Sequence, residues 1–156
     1  MQPRLVEHPA FNVVGLSTRT NNADEMAGKG RIGAIWERFN AENLRQKIPN
    51  QTEPGVVLAL YTEYQEDGNA PYSFAVGVKV DNVADLPPGL TAYSVPATKY
   101  AVFTSGRGSI PGIVIDVWKG IWSSEIKRAY RSDFEVYDGR SSDRNNAQID
   151  VWVSVK

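Results

Sequence analysis

The sequence contains no cysteine, and its single histidine, His8, lies near the N-terminus. The lack of cysteine excludes disulfides, thiol nucleophiles and cysteine metal ligands, and it is typical of a reducing compartment. A Ser-His-Asp triad has no central histidine to build on, and no cluster of histidines and carboxylates has the spacing of metal ligands. The sequence therefore predicts no metal, no cofactor and no catalytic residues.

Long apolar runs and an excess of one charge are also missing. No segment approaches the roughly 20 apolar residues that a membrane-spanning helix needs, and the N-terminus lacks the apolar stretch of a signal peptide. The 17 basic and 18 acidic residues give a net charge of −1, whereas a surface that binds nucleic-acid phosphates would shift this balance to the basic side. We therefore expect a soluble, cytoplasmic protein without direct contact to a membrane or to nucleic acid.

The sequence does contain many aromatic residues: four tryptophans, seven tyrosines and five phenylalanines. Tryptophan and tyrosine bury a large ring and also carry a polar group. Such residues build either an aromatic-rich core or the walls of a ligand cavity. Composition alone does not choose between these two interpretations.

Patterns in the first half of the chain predict a strand, a helix and a hairpin. The segment 11–18 is short, largely apolar and contains β-branched residues, which predicts a strand. Apolar residues then recur at helical spacing from residue 32 to 44. Residues 56–64 and 72–80 predict a hairpin whose turn falls at 66–69.

The second half repeats this order. Residues 99–104 predict a strand, and Pro111 suits the first turn of the helix that follows. Residues 134–137 and 149–155 predict the two closing strands.

The two predicted helices carry the same apolar pattern at one constant offset. The matched residues are Ile32, Ile35, Trp36 and Phe39 in the first helix and Val114, Val117, Trp118 and Ile121 in the second. Because the tryptophans match within the same order of elements, we predict a single α+β domain over residues 1–156. Its two strand-helix-strand-strand units, about 1–85 and about 90–156, are related by pseudo-two-fold symmetry. An antiparallel sheet and the two main helices then surround a central cleft, where ligand pockets are common.

Glu135 is the carboxylate with the most informative surroundings. Strand alternation puts it on one face with Asp133 and Tyr137, and puts Phe134 and Val136 on the other. If only the second face is covered, Glu135 simply meets water. If both faces are covered, the carboxylate needs a compensating partner. A bound cation is such a partner, and aromatic rings add cation–π contacts of roughly 0.5–2 kcal/mol each.

Several segments resemble the gyrase-inhibitor-like small-molecule-binding family, which includes the effector-binding domains of bacterial multidrug-responsive transcription regulators. In the second half they are KYAVF at 99–103, the helix with Trp118 and Trp122, FEVY at 134–137 and IDVWV at 149–153. In the first half they are VVGL, the pattern IxxIWxxF at 32–39 and the tyrosines Tyr61, Tyr64 and Tyr72. The resemblance covers essentially the whole chain, and it is to a freestanding member of the integron-cassette type or the gyrase-inhibitor type.

This resemblance implies a central pocket in which a buried glutamate among aromatic rings recognises cationic, hydrophobic drugs. The glutamate corresponds to Glu135, with Tyr137 beside it on the strand and Trp36 above the pocket. Further candidate wall residues are Tyr72, Phe74 and Trp118. The expected partner is a cationic amphipathic small molecule.

Three functions remain open at this point. Non-catalytic binding of cationic aromatic compounds leads. The second is a protein-interaction module, such as an inhibitor of gyrase or a regulator component, since the helix-turn-helix domain of the regulators is not present in this sequence. The third is hydrolysis of strained electrophilic ligands with Glu135 as general base, for which no second catalytic group is evident.

Overall fold

The β-branched and aromatic segments of the sequence form strands, and the segments with helical spacing form helices. The computed structural model describes residues 2–65 and 70–156, so the predicted turn at 66–69 lies outside the described residues. The strands of this part of the chain are β1 Arg4–His8, β2 Phe11–Thr20, β3 Val57–Thr62, β4 Tyr72–Val80, β5 Thr91–Val95, β6 Thr98–Thr104, β7 Ser132–Tyr137 and β8 Asp150–Ser154. The helices are α1 Asn22–Met26, α2 Ile32–Ala41, α3 Leu44–Lys47 and α4 Gly112–Ser123, and a short 3-10 turn follows at Gly139–Ser141.

These strands form one antiparallel sheet in the order β1-β6-β8-β7-β3-β4-β2-β5. Its centre is the pairing of β3 with β7. From this centre β4 and β2 follow on one side, and β8 and β6 follow on the other. The units β2-α2-β3-β4 and β6-α4-β7-β8 thus extend in opposite directions, as a two-fold axis between β3 and β7 requires. This arrangement confirms the predicted α+β fold with pseudo-two-fold symmetry.

The two outermost strands were not predicted from the sequence. β1 immediately precedes β2 in the chain, yet it pairs with β6 of the other unit. Likewise, β5 immediately precedes β6, yet it pairs with β2. Each unit therefore supplies a strand to the edge of the other, and this exchange joins the two units along both edges of the sheet.

Both main helices bury one apolar stripe against the same face of the sheet. α2 buries Ile35 and Phe39, and α4 buries Val117 and Ile121, all of them at helical spacing. Each large apolar side chain that is fully buried contributes about 1.5–3 kcal/mol to stability. These stripes hold the helices on the sheet and leave a space between them.

The first main helix ends earlier than its pattern predicts. The apolar spacing continues to residue 44, but α2 ends at Ala41 because Asn43 adopts a left-handed conformation with φ of 56°. The chain then resumes as the short α3. Among the helices of residues 2–65 and 70–156, none has the length and apolar character needed to cross a bilayer.

The opposite face of the sheet packs against itself. The ring of Phe11 in β2 lies 5.4 Å from the ring of Phe134 in β7, although β3 and β4 separate these strands. In a flat sheet, strands three positions apart would be about 14 Å apart. The sheet is therefore strongly curled, and its concave face encloses a core made of strand residues.

Two glycines allow β2 and β4 to approach closely. Gly15 and Gly77 are direct partners in the pairing of these strands. A Cβ atom on Gly15 would collide with the carbonyl oxygen of Val76 and would lie 2.8 Å from the Cα atom of Gly77. A side chain at this position would therefore push the two strands apart.

Candidate functional site

A cleft of about 1310 Å³ lies between α2 and α4, above the central pairing of β3 with β7. One wall comes from α2, including Trp36, and the other from α4, including Trp118. Tyr61 of β3 and Glu135 of β7 lie on its floor. The cleft exceeds the roughly 300–1,000 Å³ of common small-molecule pockets, so it has room for a bulky ligand.

Glu135 is buried at the floor of this cleft, with only 1% of its surface exposed. Its Oε2 atom accepts hydrogen bonds from the hydroxyl of Tyr61 at 2.7 Å and from Nε1 of Trp118 at 2.7 Å. Its Oε1 atom accepts a hydrogen bond from the hydroxyl of Tyr137 at 2.6 Å. Among the described residues, no lysine or arginine forms an ion pair with Glu135. The groups of this part of the chain that donate hydrogen bonds to the carboxylate are therefore all neutral.

Burial raises the pKa of Glu135 above its ordinary value, because a charge is disfavoured away from water. The three hydrogen bonds act in the opposite direction, since they stabilise the charged form. Burial and the charge of Glu135 raise the pKa of Tyr61 and of Tyr137 well above that of a free phenol. Both tyrosines therefore remain neutral hydrogen-bond donors around the carboxylate.

The acid lies next to the pseudo-two-fold axis and breaks its symmetry. Ala59 is the direct partner of Glu135 in the pairing of β3 with β7. Tyr61 follows Ala59 by two residues, just as Tyr137 follows Glu135. The two tyrosines are thus equivalent in the two units, whereas the acid in one unit corresponds to an alanine in the other.

The matched tryptophans obey the same symmetry across the cleft. The ring of Trp36 packs edge-on against Tyr137 of the other unit at 4.8 Å. The ring of Trp118 packs against Tyr61 at 5.2 Å, again across the two units. Each unit therefore contributes a tryptophan that packs against the tyrosine of the other unit. Tyr61, Trp118 and Tyr137 contact Glu135 directly, and Trp36 lines the same cleft.

Five of the six residues singled out from the sequence line the cleft. They are Trp36, Tyr72, Trp118, Glu135 and Tyr137. The sixth, Phe74, is fully buried in β4, with its ring 5.1 Å from that of Tyr61. Phe74 supports Tyr61 from behind and does not form part of the cleft wall.

Sequence reasoning missed two important features of this region. Tyr61 was part of the family pattern but was not among the candidate site residues. The second feature is a buried ion pair in which Nη2 of Arg128 lies 2.7 Å from Oδ2 of Asp133. Alternation did place Asp133 on the face of Glu135, but no local signal identified Arg128 as its partner.

Exposed apolar side chains lie at the mouth of the cleft, next to charged ones such as Glu37 and Lys119. Met26 is 73% exposed, Ile115 is 49% exposed and Trp122 is 47% exposed, and all three line the cleft. The ring of Trp122 lies 6.2 Å from that of Trp118 on the same helix. The apolar surface thus continues from the rim towards the buried carboxylate.

The sequence of this chain is similar to one known protein family and to two individual proteins. The family of Cass2, integron-associated effector binding proteins, matches residues 4–155. The protein YobU of Bacillus subtilis (strain 168), which carries the name of a transcriptional regulator, is 35% identical over 144 residues, covering 91% of this chain and 90% of YobU. The transcriptional regulator BrlR of Pseudomonas aeruginosa is 30% identical over 162 residues, covering 99% of this chain. The chain spans 56% of the length of BrlR.

Two solved structures share the whole fold. An integron cassette protein from the mobile metagenome of Vibrio cholerae is 28% identical, with a TM-score of 0.78 over 99% of this chain and 96% of that chain. The structure of SAV2435 bound to tetraphenylphosphonium is 20% identical, with a TM-score of 0.81 over 100% of this chain and 94% of that chain. At that identity the second likeness concerns the fold alone.

Proposed function

This chain belongs to the Cass2 family of integron-associated effector binding proteins, and we propose that its effector is a cationic, hydrophobic and partly aromatic small molecule held above Glu135. Membership of this family indicates that the chain binds an effector. Two relatives carry the names of transcriptional regulators. The charge of the ligand and the residues that bind it are the new part of this proposal.

The buried carboxylate of Glu135 carries the proposal. A buried charge is costly unless a partner compensates it. The three donors around Glu135 are neutral, so they satisfy its oxygens without cancelling its charge. A ligand cation would supply the missing countercharge, whereas a neutral or anionic ligand of the same shape would not.

The aromatic walls support the same class of ligand. Trp36, Tyr61, Trp118 and Tyr137 line the cleft that contains the carboxylate. A cation close to a ring face gains about 0.5–2 kcal/mol, and more when water is excluded. Tetraphenylphosphonium, which is bound in the structure of the similarly folded SAV2435, is a compound of this class, because it combines a positive charge with aromatic rings.

The balanced charge of the chain and its lack of cysteine fit binding in the cytoplasm without direct contact to nucleic acid. A net charge of −1 provides little attraction for a polyanion. The binding event that we propose therefore involves the small molecule and no direct contact with nucleic acid.

The substitution Glu135→Gln tests the proposal. The affinities for tetraphenylphosphonium and for neutral triphenylphosphine oxide are measured by tryptophan fluorescence at neutral pH. We expect the wild type to prefer the cation. In the variant the affinity for the cation should fall at least tenfold, about 1.4 kcal/mol, while the affinity for the neutral compound should stay within threefold.

Glu37→Gln is the matched control. Glu37 lines the same cleft from α2, but its side chain is exposed to solvent. Removal of a screened surface charge should weaken binding of the cation by no more than about threefold. Equal losses in the two variants, or an unchanged preference for the cation in Glu135→Gln, would refute the role of the buried acid.

A further inference from the structure

We propose that Arg128 is a specificity-determining residue, an internal cation that fills a second anionic subsite at Asp133 and so restricts the cleft to ligands with one positive charge. This inference rests on the proposed role of Glu135 as the carboxylate that binds the ligand cation.

Asp133 and Glu135 form a closely spaced pair of buried acids on β7. Asp133 is 0% exposed and Glu135 is 1% exposed. They lie two residues apart on one face of the strand, which corresponds to a separation of about 7 Å along the strand. Two carboxylates at this distance would attract a ligand with two positive charges.

The partners of the two acids differ in charge. Within the described part of the chain, Glu135 accepts hydrogen bonds from neutral groups only. Asp133 forms an ion pair with Arg128 at 2.7 Å and accepts a hydrogen bond from the hydroxyl of Tyr64 at 2.6 Å. The backbone N–H and hydroxyl of Ser154 also donate to Asp133, at 2.7 and 2.9 Å. Asp133 therefore has an internal countercharge, whereas residues 2–65 and 70–156 provide none for Glu135.

Arg128 occupies the position that a ligand cation would take at Asp133. Its side chain lines the cleft and is 11% exposed, while Asp133 lies buried behind it. Its guanidinium lies 4.4 Å from the ring centre of Tyr130 and 5.6 Å from that of Trp118. Carboxylate pairing combined with contact to aromatic rings is the same recognition that we propose for the ligand at Glu135.

Trp118 connects the two subsites. Its Nε1 atom donates to Glu135, and its ring faces the guanidinium of Arg128. The Nε atom of Arg128 is buried and meets no hydrogen-bond acceptor among the described residues. The guanidinium thus binds Asp133 through Nη2 alone. A bidentate structural ion pair would use two of its N–H groups, so this contact is more similar to that of a bound ligand cation.

The charge balance of the cleft floor follows from this arrangement. Among the buried charged groups of the described residues, Arg128 compensates Asp133, which leaves the negative charge of Glu135 for the ligand. A ligand with one positive charge completes the balance at Glu135. A second positive charge would meet the guanidinium of Arg128, so the wild type should not gain affinity from it.

The test compares two ligands that differ mainly in charge. Methyl viologen carries two positive charges on linked aromatic rings, and para-phenyl-N-methylpyridinium is its single-charge analogue. We expect the wild type to bind methyl viologen no more tightly than the analogue. In Arg128→Met the ratio of the two affinities should shift at least tenfold in favour of methyl viologen, because Asp133 then lacks its internal cation.

The double variant Arg128→Met/Asp133→Asn separates charge from space. It opens the same volume as the single variant but lacks the second carboxylate, so its ratio should return to that of the wild type. An unchanged ratio in Arg128→Met, or the same shift in both variants, would overturn the inference.

Asp133→Asn alone provides a second readout if Arg128→Met does not fold. In this variant Arg128 keeps its charge but loses its partner, so an uncompensated cation faces the cleft. The affinity for the single-charge analogue should fall at least tenfold, and an unchanged affinity would also overturn the inference. If Glu135→Gln leaves the binding of both ions unchanged, the proposed function itself fails; if only the Arg128 variants behave like the wild type, the internal cation alone is refuted.

Discussion

At the scale of single residues, the charge state of Glu135 depends on which groups donate hydrogen bonds to each of its two carboxylate oxygens. Oε2 accepts from both Tyr61 and Trp118, whereas Oε1 accepts from Tyr137 alone. The two tyrosines occupy equivalent positions in the two units, yet they are not equivalent for the acid. Loss of one hydroxyl leaves Oε2 with a donor, and loss of the other leaves Oε1 with none of these three donors.

Replacement of the tyrosines by phenylalanine should reveal this difference. Loss of a hydrogen bond to the charged form raises the pKa of a carboxyl group, and such bonds are worth about 1.5–3 kcal/mol. We expect Tyr137→Phe to move the pH midpoint of tetraphenylphosphonium binding upwards, and by more than Tyr61→Phe does. Binding measured by fluorescence from acidic to neutral pH gives both midpoints.

Tyr93→Phe is the control for these variants. Tyr93 lies on β5 and packs against the core on the concave face of the sheet. Its replacement should leave the midpoint where the wild type has it. Equal midpoints for the wild type and Tyr137→Phe would show that this hydroxyl does not stabilise the carboxylate.

At the scale of secondary-structure elements, the close contact of β2 with β4 sets the geometry of the first unit. β4 also pairs with β3, which carries Tyr61 to the floor of the cleft. A change in the spacing of β2 and β4 therefore affects the strand that positions one donor of Glu135. The absence of side chains at Gly15 and Gly77 permits this spacing.

Gly15→Ala should destabilise the protein. The added Cβ atom would collide with the backbone of Val76 and Gly77, which cannot rotate away as a side chain does. Overpacking of this kind costs about 1–3 kcal/mol. The free energy of unfolding, measured in urea, should fall by that amount.

The matched control is Gly33→Ala in α2, where an added Cβ atom meets no atom within 4 Å. Alanine favours a helix over glycine by up to about 1 kcal/mol, so this variant should be as stable as the wild type or more stable. If Gly15→Ala is also as stable as the wild type, the close approach of β2 and β4 is not limiting.

At the scale of the whole molecule, the site lies where two similar units meet. The sheet continues through this junction, and β1 and β5 each extend the sheet of the opposite unit. The cleft floor is therefore continuous, while its walls come from one helix of each unit. In the proposed function the buried charge of Glu135 contributes both to ligand binding and to the stability of the fold, so we expect the two to be coupled through this junction.

The pH dependence of stability should expose this coupling. The pKa of Glu135 is raised in the folded protein, so the folded state holds a proton that the unfolded chain has already released. The contribution of Glu135 to the free energy of unfolding is fully present below the ordinary carboxyl pKa of 4.5 and is lost as the pH rises through the raised value. Without ligand, the stability of the wild type relative to Glu135→Gln should therefore decrease over this window.

A cationic ligand should reverse this trend, since it stabilises the charged carboxylate. At a ligand concentration a hundredfold above Kd, stabilisation should reach about 2.7 kcal/mol at neutral pH and diminish at acidic pH. Urea unfolding of both proteins over a pH series, with and without tetraphenylphosphonium, gives the four curves. A constant difference between wild type and Glu135→Gln at every pH would contradict the raised pKa.

Much of the architecture was predictable because local spacing encodes it. The alternation of β7 placed Asp133, Glu135 and Tyr137 on one face, and the matched patterns of α2 and α4 indicated the duplication. The sequence also set the order of the elements and the family resemblance. These features depend on neighbours within a few positions, where the periods of strands and helices apply.

Whether Glu135 is buried was decided only by the tertiary structure. Its donor Tyr61 lies 74 positions earlier in the chain, and the register of β3 against β7 brings the two together. The same holds for the exchange of β1 and β5, and for Phe74, which lies behind the wall instead of in it. Spacing along the chain carries no information about such distant partners, because each strand alternates in the same way whichever strand it pairs with. The sequence determined that β7 carries an acid at position 135, and the pairing of the two units determined that this acid is buried among hydrogen-bond donors.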